Sequence, residues 1–130
     1  MKKIEVLVVV DSVGALASGS LVNNVYVVDT NKFLGSWNEG QCDLHTLSQD
    51  QQSIRWSVVA ISPDSEVAIS SFGGDMIAKK VCVPVKTGSG TDDSWQGQVE
   101  TQGGFGRFAY ILNLSVEGTA MSFSPYLEVQ

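Results

Sequence analysis

Ser53-Ile54-Arg55-Trp56-Ser57-Val58-Val59-Ala60-Ile61 is the stretch on which the fold class turns. Ile54, Trp56, Val58 and Ala60 fall on one side of a period of two, and Arg55, Ser57, Val59 and Ile61 on the other, the alternation of a strand with one face in a core. Ser62-Pro63-Asp64-Ser65 then has turn chemistry, and Glu66 to Phe72 is a short β-favouring segment. The two segments are expected to pair as an antiparallel hairpin closed by Gly73-Gly74-Asp75.

Toward the N-terminus, Ile4 to Val10 is apolar at nearly every position, which predicts a central strand covered on both faces and ended by Asp11-Ser12. Val13 to Asn24 is small and polar enough for a loop with a turn of helix at Gly14 to Ala17, and Val25 to Val28 reads as a second strand. Toward the C-terminus, Val81, Val83 and Val85 alternate with Cys82 and Pro84. A proline cannot donate to a ladder, so that strand belongs at an edge or carries a bulge. Thr87 to Ser94 is predicted to be the most flexible loop. Phe108 to Val116 and Met121 to Val129 alternate around Glu117-Gly118 as a last hairpin. The pattern predicts an all-β domain over residues 1–130: an antiparallel β-sandwich of about eight or nine strands, jelly-roll or Greek-key-like, with at most one helical turn and with its first and last strands inside.

Composition narrows the function classes. With 43% hydrophobic and 17% charged residues the chain can bury a core, and fourteen acidic against eight basic residues leave a net charge of −6. No basic run exceeds Lys2-Lys3 or Lys79-Lys80, so polyanions are repelled at long range and no nucleic-acid partner is expected. The apolar run Val6 to Val10 is shorter than the roughly 7–15 residues of an export signal, and nothing approaches the roughly 20 of a membrane span. A cytoplasmic protein without membrane insertion follows as the expectation. Cys42 and Cys82 are expected to be reduced and mostly buried, with a single bridge as the alternative.

Catalytic chemistry is hard to assemble from these residues. The single histidine, His45, stands in Cys42-Asp43-Leu44-His45, where a strand would turn Cys42 and His45 to opposite faces, against a shared metal or a nucleophile-base pair. It reads as a structural or surface histidine. Gly88-Ser89-Gly90 and Gly103-Gly104-Phe105-Gly106 lead neither into a Lys-Ser/Thr pair nor into a helix, so they read as hairpin turns and not phosphate loops. Asp92-Asp93, with Asp75 and Asp64, offers oxygens for calcium but no EF-hand spacing, and no cofactor or metal is assigned. The tryptophans are the more useful clue. Trp56 belongs to the core, whereas Trp37 with Asn38 and Glu39, and Trp95 with Asp92 and Asp93, pair an aromatic plate with polar groups as a glycan site does. The competing reading has Trp37 and Trp95 folding back to cap an open end of the sandwich.

Both ends resemble the AidA/PixA family of bacterial inclusion-body proteins. Ile4-Glu5-Val6-Leu7-Val8-Val9-Val10-Asp11 is similar to that family's hydrophobic first strand ending in Asp. Met121-Ser122-Phe123-Ser124-Pro125-Tyr126-Leu127-Glu128-Val129 is similar to its closing aromatic-x-Asp-Pro-x-aliphatic-x-Val strand, with Ser124 where the family usually has Asp. Trp56 to Ile61 and the strand after it fit the family's central hairpin. The resemblance implies a non-enzymatic cytoplasmic sandwich that acts by binding or self-assembly, with a glycan as its small ligand. The alternative is a structural or storage protein that packs into oligomers or inclusions without one. Unpaired strand edges and a weakly charged surface favour a symmetric dimer.

Overall fold

The computed structural model describes residues 3–30, 36, 40–62, 64–87 and 94–130. Their elements follow in the order β1 (Ile4–Val10), α1 (Ser12–Ser18), β2 (Val25–Asp29), β3 (His45–Ser48), β4 (Ser53–Ala60), β5 (Val67–Gly73), α2 (Asp75–Ala78), β6 (Val85–Lys86), β7 (Ser94–Gln98), β8 (Gly106–Ala109), β9 (Ile111–Val116), β10 (Thr119–Phe123) and β11 (Tyr126–Val129). The class is all-β, and the strands form three sheets ordered β2-β1-β4-β7-β6, β10-β9-β5 and β3-β11-β8. Eleven strands, not eight or nine, arise among the described residues because several expected strands are broken where the chain passes between sheets.

The expectation of antiparallel pairing throughout is corrected. β1 runs parallel to β4, with Val6 opposite Trp56, and β3 runs parallel to β11, with His45 opposite Tyr126. The hairpin expected of β4 and β5 is also absent: β5 pairs with β9, and both edges of β4 are taken, by β1 and by β7. The turn after β4 therefore carries the chain across to another sheet. It is held by Ser65 N–H donating to Ser62 O at 3.1 Å and by Ile61 N–H donating to Val10 O at 2.9 Å. Ser12 and Ser65 hydroxyls meet at 2.6 Å and tie this turn to the start of α1.

β1 and β11 are interior to their sheets, as expected. β1 is nevertheless not covered on both faces: Ile4, Val6, Val8 and Val10 are buried, while Glu5, Leu7 and Val9 remain half-exposed. Helix content is larger than one turn. α1 spans seven residues because Asp11 caps it by accepting from Gly14 N–H at 3.1 Å, and Gly19, left-handed at φ 74°, closes it by donating to Ala15 O at 2.8 Å. Pro84 precedes the edge strand β6, as read from the sequence. Only Val85 and Lys86 pair there, and Val81 is buried together with Cys82 instead of opposing it.

The C-terminal hairpin holds, with β9 and β10 pairing antiparallel around Glu117-Gly118. Beyond it the same register continues into β8 and β11, but in another sheet. The joint is Tyr110 opposite Pro125. Tyr110 N–H donates to Pro125 O at 3.1 Å, and since proline has no N–H to return, the Ser124 hydroxyl supplies the missing donor to Tyr110 O at 2.9 Å. Side chains from all three sheets join a hydrophobic cluster, among them Val6, Ile54 and Trp56 from the first, Ile69, Leu112 and Leu114 from the second, and Leu127 and Val129 from the third.

Candidate functional site

Of the residues that sequence reasoning assigned to a glycan site, Trp37, Asn38, Glu39, Asp92 and Asp93 lie outside the described residues, as do residues 88–91 of the loop expected to be flexible. Trp95 is on β7 directly opposite Trp56 of β4. It is half-buried, packs against the core and tilts onto Phe72 at 5.5 Å, yet its buried indole Nε1 has no hydrogen-bond partner among the described residues. Trp56 is the core residue it was read to be.

The cysteines and the histidine do not form a reactive pair. Cys42 lies in the turn before β3, not in a strand, whereas His45 is the first residue of β3. The His45 ring stacks on Tyr126 at 4.4 Å, and its Nδ1 lies 3.3 Å from Glu128 Oε1, which also accepts from Arg107 Nε. These residues come from β3, β11 and β8, so the cluster laces one sheet together and His45 is structural. Both thiols are free. Burial pushes Cys82 up to about 12 and also raises Cys42. Because the thiolate is the attacking form, a thiol reagent at mildly alkaline pH is expected to modify Cys42 slowly and Cys82 only after unfolding. Two thiols should titrate in denaturant without reductant; finding none there would establish a bridge. Among the described residues no group of three or more His, Cys, Asp or Glu is placed to hold a metal ion, and no helix is long and apolar enough to cross a membrane.

Two surfaces stand out. The first is the outer face of the five-stranded sheet. Register places Tyr26 beside Val9 and Val59, and Val28 beside Leu7 and Ser57, in two rows without a charged side chain. Tyr26, Val28, Val59 and the adjoining Ile61 are between 38% and 56% exposed, far more than an interior strand surface needs. One row further along, Glu5 and Arg55 neutralise each other at 3.5 Å. β2 borders this face, and its outer edge is partly satisfied because Gly40 N–H donates to Val27 O at 2.7 Å.

The second is an open cleft of about 620 Å³ between the segment after α2 and the loop joining β7 to β8. The glycine cluster Gly103 to Gly106 suggests a hairpin turn in sequence. It is instead a crossover, since β7 and β8 belong to different sheets, whereas β6 and β7, flanking Gly88 to Gly90, do pair antiparallel. Asp50 organises the crossover: its carboxylate accepts from Thr101 N–H at 2.7 Å and Gly103 N–H at 2.9 Å. These bonds to the charged form hold its pKa below the ordinary carboxylate value. A carboxyl depressed on folding stabilises the fold above its unfolded pKa and loses that contribution as pH falls through the folded one. Asp50→Asn is therefore expected to speed hydrogen exchange at Thr101 and Gly103 at neutral pH, with the difference closing in acid as the wild-type carboxyl protonates. Equal exchange at neutral pH would show that the carboxylate does not hold the loop.

The family model described as "Domain of unknown function (DUF8788)" matches residues 2–122. The chain belongs to this family. No curated protein matches it. Among solved structures, the crystal structure of an inclusion body protein (PixA) from Burkholderia cenocepacia J2315 is similar with a TM-score of 0.70 at 11% identity, covering 98% of this chain and 93% of that one. At that identity the likeness is one of fold, and at that level it agrees with the resemblance read from the two ends of the sequence.

Proposed function

We propose that this protein is a non-enzymatic, cytoplasmic inclusion-body-type β-sandwich that works by associating with copies of itself. The observation that carries the reading is the uncharged outer face of Tyr26, Val28, Leu7, Val9, Val59 and Ile61. A chain with a net charge of −6 repels its own copies over most of its surface, and a face without charge is where two copies meet at least cost. The likeness to a protein named for inclusion bodies supports the same reading. Stacking this face on its equivalent through a two-fold axis gives an isologous dimer, which needs about 1,200 Å² or more of buried surface to persist. Light scattering over a rising concentration series is expected to give masses above 13.9 kDa for the wild type, and Val59→Glu to hold the protein at the monomer mass. A wild-type mass constant at the monomer value, or a Val59→Glu protein that associates as before, would overturn the proposal.

A glycan ligand is the second reading, and the half-buried ring of Trp95, flanked on β7 by Ser94 and Gln96, supports it, since an aromatic plate beside polar groups is what a sugar packs against. On a glycan array, saturable binding lost in both Trp37→Ala and Trp95→Ala is its expected signature. Binding that survives both changes, or none at all, would remove this reading and leave the packing protein without a small ligand.

A further inference from the structure

We infer that the cleft between Lys79-Lys80 and Phe105 binds a small aromatic monoanion, a flat ring carrying one carboxylate- or sulfonate-type charge. Three features meet there. Lys79 and Lys80 are both exposed on the cleft wall, and among the described residues neither takes part in an ion pair, although the chain holds fourteen acidic residues. Phe105, on the crossover loop that lines the same cleft, is 81% exposed, the most exposed large apolar side chain among the described residues. Phe108 lines the cleft as well, packed against the core and with Lys79 Nζ 6.0 Å from its ring centroid. A ligand that covers Phe105 removes apolar surface from water, and its charge pairs with the ammonium groups that line the same cleft.

The walls are built before any ligand arrives. Lys80 sits in the left-handed region at φ 55°, and past it Val81 N–H donates to Met76 O at 2.9 Å while Glu100 N–H donates to Val81 O at 2.7 Å. On the other side Asp50 holds Thr101 and Gly103, and the Thr101 hydroxyl donates to Gly104 O at 2.8 Å. Such preorganisation lowers the ordering cost of binding. The same bonds decide which anion fits. The N–H groups of Gly103 and Gly104 are already committed, to Asp50 and to Thr101 O, so the glycine loop offers neither of them to a phosphate. Recognition of charge falls to the two lysines, and Glu100 on the same cleft offsets one of them, which suits one negative charge better than two.

Anilinonaphthalene sulfonate, a fluorescent aromatic monoanion, is the probe, with the neutral N-phenylnaphthylamine as its uncharged counterpart. The full-length protein is expected to bind the sulfonate at one saturable site, with affinity falling as salt rises. Lys79→Gln combined with Lys80→Gln is expected to weaken binding about tenfold or more and to remove the salt dependence, and Phe105→Ser to weaken it comparably. All three side chains are exposed, so matched far-UV circular dichroism should show an unchanged fold. Val59→Glu, on the separate apolar face, should leave binding intact. The inference is overturned if the double lysine variant binds as the wild type does, if Val59→Glu abolishes binding, or if the neutral probe competes equally. It is also overturned if Phe105→Ser lowers the oligomeric mass without touching binding, which would make Phe105 a contact between copies.

Discussion

Trp56→Ala is expected to lower the unfolding free energy by about 3–5 kcal/mol, a large part of the roughly 5–15 kcal/mol that holds a domain folded. Trp56 is 1% exposed and lies where the sheets meet. It belongs to β4 of the five-stranded sheet, and its ring meets Phe72 of β5 edge-on at 5.0 Å and Tyr110 at 6.0 Å. Its indole Nε1 donates to the Tyr110 hydroxyl at 3.3 Å, a bond both of whose ends are buried. Removing the indole therefore opens a cavity between sheets and strands a phenol that burial already keeps firmly protonated. Trp56→Phe keeps most of the volume and should cost about 1–3 kcal/mol, largely for the orphaned hydroxyl. Combining it with Tyr110→Phe removes both polar partners, so the double variant should be more stable than the sum of the single losses implies. Urea unfolding followed by circular dichroism measures all of these. A Trp56→Ala loss below about 1 kcal/mol would mean that the sheets do not close on this residue.

The same residue shows how far the sequence could be read. The alternation around Trp56 marked β4 and its buried face correctly, because side-chain period is a local property. Which strands flank β4 is not local. The tight turn at Ser62 to Ser65 looked like a hairpin, but it serves a crossing, since β1 and β7 had already taken both edges of β4. Parallel neighbours such as β1 and β4 leave no turn signature at all, as the pairing joins segments about fifty residues apart. The division of the last strands was visible in principle, because Pro125 withholds a ladder donor in the middle of an alternating run and Ser124 beside it can replace that donor. The cleft was less legible. Lys79-Lys80 registered only as a short basic run and Phe105 only as part of a glycine cluster, and nothing in either spacing says that two crossovers bring them to one opening.

Gly74→Ala is expected to be as damaging as a core truncation, although it adds one methyl group. Gly74 precedes α2 with φ 87° and ψ −169°, a combination open essentially to glycine alone. A Cβ there would also lie 2.9 Å from Tyr110 Cα, 3.0 Å from Ala109 O and 3.2 Å from Ile111 N. All three are backbone atoms at the joint between β8 and β9, so no side chain can swing aside. The chain must move α2 off the sheet or leave its own conformation, and the strain and overpacking together should cost on the order of 3–5 kcal/mol. Gly19→Ala is the milder case for comparison. Gly19 is left-handed at φ 74° with ψ 17°, a region a side chain can enter, and a Cβ there would meet nothing within 4 Å, so its loss should be about 1–2 kcal/mol. Thermal unfolding should place Gly74→Ala roughly 10–20 °C below the wild type and Gly19→Ala within about 6 °C of it. Equal shifts for the two would show that neither the close backbone approach at Tyr110 nor the unusual backbone region of Gly74 costs more than an ordinary left-handed position.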